Sequence, residues 1–167
     1  MFTEVIRLKL LPVLALAAVL AAPAAQAAQT ARPVVTAAGA WSRPAVAGTT
    51  GVGYMTLTNH GWEPETVVSI SSPLASRVEI HASSMTGGVM SMERRDAVAV
   101  PAHGQLVFGP GAYHVMLIGL KSTLKPGDKA PATLTFASGA HLRVGFIVSA
   151  GAGPPAGMAA GMGAKSR

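Results

Sequence analysis

The chain has 167 residues, half of them apolar, a formal net charge of +6 and no cysteine. Without thiols, no disulfide can brace the fold and no thiolate can bind metal or act as a nucleophile, so any soft metal ligand must be methionine. The basic residues (Arg77, Arg94, Arg95, Lys121, Lys125, Lys129, Arg143) are scattered and not interleaved with aromatics, which argues against a nucleic-acid surface. At most they steer an acidic protein partner.

Arg7 and Lys9, the apolar run from Leu10 to Ala22, and Ala25-Gln26-Ala27 have the three-part layout of a secretory signal peptide, with cleavage expected after Ala27. The apolar run is interrupted by Pro12 and bounded by Pro23, and a spanning helix wants about 20 apolar residues, so no membrane insertion is expected after cleavage. A lipid anchor of the bacterial kind would need a cysteine at the cut. Removing residues 1–27 leaves 140 residues with a net charge of +5, enough for one domain in an exported, periplasmic protein. Residues 28–33 read as a lead-in, residues 34–148 as the folded domain, and residues 149–167 as a Gly/Ala/Pro-rich tail whose composition cannot build a core.

Within 34–148, short β-branched and apolar runs alternate with turn residues, and no stretch of helical period competes. The predicted strands are Gly51 to Thr58, Thr66 to Ser71, Arg77 to Ala82, Val89 to Arg94, Gln105 to Phe108, Tyr113 to Ile118, Ala132 to Phe136 and Leu142 to Val148. Asn59-His60-Gly61, Gly87-Gly88, Pro101 to Gly104, Gly109-Pro110-Gly111 and Lys125 to Asp128 supply the reversals. Seven or eight such strands predict an all-β domain, a β-sandwich or small Greek-key barrel.

Met85, Met90, Met92 and Met116 cluster with His81 and His114 between positions 81 and 116. Strand alternation puts Met90 and Met92 on one face, and His114 and Met116 on one face opposite Val115 and Leu117. Likewise Glu79 and His81 oppose Val78 and Ile80, so if the aliphatics face the core, the histidines line a shallow site at the rim. Two imidazoles and two thioethers are a neutral, intermediate-to-soft donor set that suits Cu(I) better than hard cations. A blue-copper centre would need a cysteine, and zinc rarely takes thioethers. Methionine on a strand is ordinarily a core filler and a lone histidine ordinarily a surface residue, so spacing alone leaves both the metal and the structural readings open.

His81, ten residues, Met92, twenty-one residues, and His114-Val115-Met116 resemble the signature of the periplasmic copper chaperones called PCu(A)C. The flanking runs agree: Ala40-Trp41-Ser42-Arg43, Gly53 to Asn59, Arg77 to His81, Gly87 to Met92, Pro110 to Leu117 and Gly119-Leu120-Lys121. The resemblance covers residues 34–148. It implies a cupredoxin-like β-barrel that binds Cu(I) through His81, Met92, His114 and Met116 at an exposed site; the protein is expected to be a monomer and, with no enzyme constellation in the chain, not an enzyme. It also implies delivery toward the dinuclear copper centre of cytochrome c oxidase, either to the oxidase copper subunit directly or through a Sco-type thiol protein. Members of that family often carry a methionine two residues after the first histidine, where this chain has Ser83; Met85 and Met90 remain as accessory thioethers. Some members bear a second copper site in a His/Met-rich tail, but here the tail offers only Met158 and Met162.

Other residues read as structural. His60, His103 and His141 fall in or beside predicted turns and are expected at the surface, Met55 in the core, and Trp41 and Trp62 in packing roles. No nucleophile elbow, catalytic histidine–carboxylate pair or phosphate-cradling loop is present. Two other readings share these residues: a periplasmic copper sequestration or tolerance protein with the same ligands, and a metal-free β-sandwich interaction module.

Overall fold

A computed structural model of the chain describes residues 34–151 and 153–154. The expected signal peptide, the lead-in and most of the tail, with Met158 and Met162, lie outside the described residues. The rest is all β, in ten strands: β1 (Val35–Ser42), β2 (Gly51–Asn59), β3 (Glu65–Ser71), β4 (Ala75–Thr86), β5 (Val89–Arg95), β6 (Val98–Val100), β7 (Gln105–Phe108), β8 (Tyr113–Leu120), β9 (Lys129–Phe136) and β10 (His141–Val148).

All eight expected strands are present, and two more join them. β1 escapes a pattern search because Val-Thr-Ala-Ala-Gly-Ala-Trp-Ser is poor in strand formers, and its register shifts between Ala38 and Trp41, beside Gly39 at φ 59°. Its first residue, Val35, is fully buried. β6 has only three residues, below the length at which alternation is readable. β4 runs four residues beyond its expected end, through Ser83-Ser84-Met85-Thr86, because pairing with β5 overrides weak local propensity.

The strands form one sheet in the order β5-β4-β8-β7-β2-β1-β10-β9-β3-β6. β2 pairs with β7 through Met55–Thr58 and with β8 through Gly51–Gly53, and β1 links the two halves, antiparallel to β2 and parallel to β10. The sheet rolls up, bringing β3 against β4. A Cβ on Gly53 of β2 would lie 3.0 Å from the Phe146 ring of β10, which shows how closely the inner faces approach.

Met55, Leu57, Phe108, Val115 and Leu117 from one half, and Val67, Leu134, Phe136 and Phe146 from the other, share a single core. Each large buried side chain contributes about 1.5–3 kcal/mol of apolar burial. The buried Asn59 amide donates to the Glu63 and Val100 carbonyls and accepts from Gly61 N–H, tying the predicted 59–61 turn to β6.

Trp41 packs 4.7 Å from Tyr54 and is buried, as expected. Trp62, expected to pack, is instead 85% exposed and meets the His103 ring edge-on with ring centres 4.4 Å apart. His60 and His141 bond threonine hydroxyls at the surface.

Candidate metal centre

Alternation leaves Val78, Ile80, Val115 and Leu117 on the inner face, and the cross-strand register decides what meets on the outer one. β4 and β8 pair with Glu79 opposite Met116, His81 opposite His114, and Ala82 opposite Tyr113. β4 and β5 pair with His81 opposite Arg94, Ser83 opposite Met92, and Met85 opposite Met90. Directly opposed residues share a face with Cβ atoms about 5 Å apart. The outer face of three adjacent strands therefore carries His81, Met92, His114 and Met116 together, with Met85 and Met90 further out.

The two imidazoles have ring centres 5.9 Å apart at 45°. Two imidazoles on one tetrahedral ion, with metal–nitrogen bonds of about 2 Å, put their ring centres about 5 Å apart, so a small rotation suffices. His114, Met116, Met92 and Met90 line a cavity of about 340 Å³ together with Arg43, Val52, Tyr54, Ser83 and the Pro110-Gly111 turn. His81 is not among the lining residues; it stands beside them, its side chain 21% exposed.

The shallow-rim expectation holds for only part of this face. Met92 is 58% exposed, but His114 is buried, because β8 is an interior strand whose outer face is covered by the cavity walls. Buried polar rings need partners, and His114 Nδ1 lies 3.2 Å from the Ala112 carbonyl. A carbonyl only accepts, so Nδ1 carries the proton and Nε2 is left as the free donor atom.

His81 is set in a similar way by a residue outside the His/Met cluster. Its Nε2 lies 2.9 Å from Glu79 Oε2, so Nε2–H donates and Nδ1 is free to coordinate. Glu79 also receives Arg77 Nε at 2.9 Å and Arg94 Nη1 at 3.8 Å, with its side chain 12% exposed. The hydrogen bond from His81 holds the Glu79 carboxyl below the ordinary carboxylate range; burial opposes this, and the Arg77, Arg94 and His81 charges reinforce it. Glu79 was legible as the outer-face neighbour of His81, but its arginine partners depend on pairing between distant segments.

Among the described residues no group of three or more His, Asp and Glu side chains could hold a metal ion, so nitrogen and oxygen donors alone make no site. The chemistry of this face is that of imidazole plus thioether, which selects soft, low-charge ions.

A rolled all-β sheet with this connectivity is a cupredoxin-like domain, here with a His/Met outer face in place of a cysteine-containing centre. The model of the family described as "Putative lipoprotein LpqE-like" matches residues 35–148, and the chain belongs to that family, which is related to PCuAC domains. A curated relative, "Putative lipoprotein Lxx21020" of Leifsonia xyli subsp. xyli, is 34% identical over 101 residues; the match spans about 60% of this chain and 60% of that relative's length. Among solved structures, CuI-DR1885 of Deinococcus radiodurans is 30% identical with a TM-score of 0.59, covering 78% of this chain and 87% of that one. The copper-bound PCuAC domain from PmoF2 has a TM-score of 0.59 at 23% identity, covering 71% and 94%; at that identity the likeness speaks for the fold.

Proposed function

We propose that this protein is an exported copper carrier that binds one Cu(I) through His81, Met92, His114 and Met116 and gives it up to a partner. The observation that carries the reading is the shared register of β4, β5 and β8, which gathers two imidazoles with free nitrogens and two thioethers on one outer face. The donor set is neutral, so it favours a monovalent soft ion over Cu(II) or zinc. The copper-bound state of PCuAC-type neighbours and the lipoprotein description of the family support cargo and export respectively. The acceptor we infer is a Sco-type thiol protein or the copper subunit of cytochrome c oxidase, whose thiolates can displace thioethers one at a time.

The test is anaerobic Cu(I) titration with X-ray absorption on the loaded protein. One tight equivalent with mixed nitrogen and sulfur donors is expected, and Met116→Leu or Met92→Leu should weaken it while the fold persists. Unchanged binding in both variants refutes the ligand set. Transfer from loaded protein to an apo Sco-type acceptor separates delivery from storage.

A further inference from the structure

We propose that Met85 and Met90 form an outer Cu(I)-receiving pair at the tip of the β4–β5 hairpin, passing the ion over Met92 to the inner ligands. This rests on the carrier reading above and extends it to the route by which the ion arrives.

The hairpin is built for exposure. β4 last pairs with β8 at Ala82, so beyond Ser83 the two strands pair only with each other and run out past the barrel. Gly87 and Gly88, with φ 60° and 80°, close a two-residue turn of the kind that fixes hairpin register. That register sets Met85 directly opposite Met90, with Met92 two residues along and opposite Ser83. On the ribbon's other face, Ser84 and Ser91 hydroxyls bond each other at 2.8 Å. The end of the ribbon is open to solvent on both faces, and Met85, Met90 and Met92 are 67, 60 and 58% exposed. A core-filling role does not account for three exposed thioethers on one face.

The sulfurs form two levels. Met85 and Met90 face each other toward the hairpin tip, and Met90 and Met92 line the cavity together with buried His114 and with Met116. Opposed Cβ atoms about 5 Å apart let two flexible thioether arms converge on one ion. The next step along the strand is about 7 Å, within reach of an exchange that replaces one thioether at a time. Ser83, a hard hydroxyl donor opposite Met92, adds nothing for Cu(I), and the additional sulfur in the cavity comes from Met90. No electron moves in these steps: Cu(I) stays Cu(I), each new sulfur–copper bond replacing one broken, and the outer pair binds weakly enough to let the ion go inward.

The experiment uses protein carrying ¹³C-methyl methionine, titrated anaerobically with Cu(I) supplied as its glutathione complex. The first equivalent should shift the Met92 and Met116 methyls, and excess Cu(I) should then shift Met85 and Met90 together. Met85→Leu/Met90→Leu should abolish that second event, keep the first, and slow loading in stopped-flow several-fold. Met85 and Met90 signals that stay put while Met92 and Met116 move overturn the outer pair and leave the inner site standing. Wild-type loading by the double variant overturns the hand-over. Static Met92 and Met116 signals overturn the inner site itself, and the hand-over with it.

Discussion

Removing the carboxylate beneath His81 by Glu79→Ala tests whether the site is held ready or assembled only by the metal. In the folded protein Glu79 accepts the Nε2–H of His81 at 2.9 Å and is held in turn by Arg77 at 2.9 Å and Arg94 at 3.8 Å. The alanine variant frees the ring to rotate and to choose the other tautomer, and losing such an outer partner of a metal-bound histidine typically costs about 10–100-fold in affinity. Arg77 then loses its carboxylate partner while Arg94 keeps Asp96 at 3.1 Å, and the added positive charge beside a cationic cargo acts in the same direction, so the loss should lie toward the 100-fold end. Glu79→Gln keeps an oxygen that accepts from Nε2–H while losing the charge, so its loss should stay near 10-fold or below. Anaerobic competition against a chromophoric Cu(I) chelator measures both variants, and ¹⁵N shifts of His81 in the metal-free protein read the tautomer directly. An alanine variant within about twofold of the parent, or a parent whose His81 carries its proton on Nδ1, would refute the reasoning.

Arg43 lines the cavity from an exposed position; Arg43→Ala should raise Cu(I) affinity a few-fold at low ionic strength, and the gain should vanish in about 1 M salt as the charge is screened. The metal-free protein should lose stability in acid through Glu79, whose folded pKa is lowered, chiefly by the hydrogen bond from His81. A lowered folded pKa means the contribution is present above the unfolded value, about 4.3, and disappears as pH falls through the folded one. Melting temperature recorded from pH 6 downward should fall in that window, and Glu79→Gln should flatten the fall. Gly53→Ala places a methyl 3.0 Å from the buried Phe146 ring, and urea unfolding should show a loss of about 1–3 kcal/mol from overpacking; a neutral result would mean the two inner faces are less tightly apposed than the structure has them.

Alternation alone was enough to separate Ile80, Val115 and Leu117 from His81, His114 and Met116, because a period of two is a local property of the chain. It also put Glu79 beside His81. What it could not supply was the register of β4 against β8, since nothing local says that His81 faces His114; that pairing depends on core packing from segments tens of residues apart, whereas Ser83 opposite Met92 follows from the Gly87-Gly88 turn. For the same reason His114 read as shallow although it is buried: its strand is interior in the sheet, and strand order is nonlocal information. β1 was invisible because its alanines and glycine carry no strand signal, and Trp62 read as packing because aromatic residues usually are.

The proposed ligands divide into three on interior strands, His81 on β4 and His114 and Met116 on β8, and one movable ligand, and that division follows from where the strands lie. His114 and Met116 sit on β8, paired on one side with β4 and on the other with β2 and β7, and the His114 ring is locked through its Nδ1–H to Ala112. Met92 sits on β5, an edge strand exposed along its length and paired only with β4. Interior strands open with free energies near that of global unfolding, whereas edges and projecting ribbons open far more readily. An ion held by all four would therefore keep its imidazole anchor while the Met92 thioether swings aside, leaving one coordination position for an incoming thiolate. A site with four ligands on interior strands would bind more tightly and release too slowly, and one with four on the ribbon would exchange freely and retain nothing. Placing one soft ligand on the edge gives a carrier both retention and release.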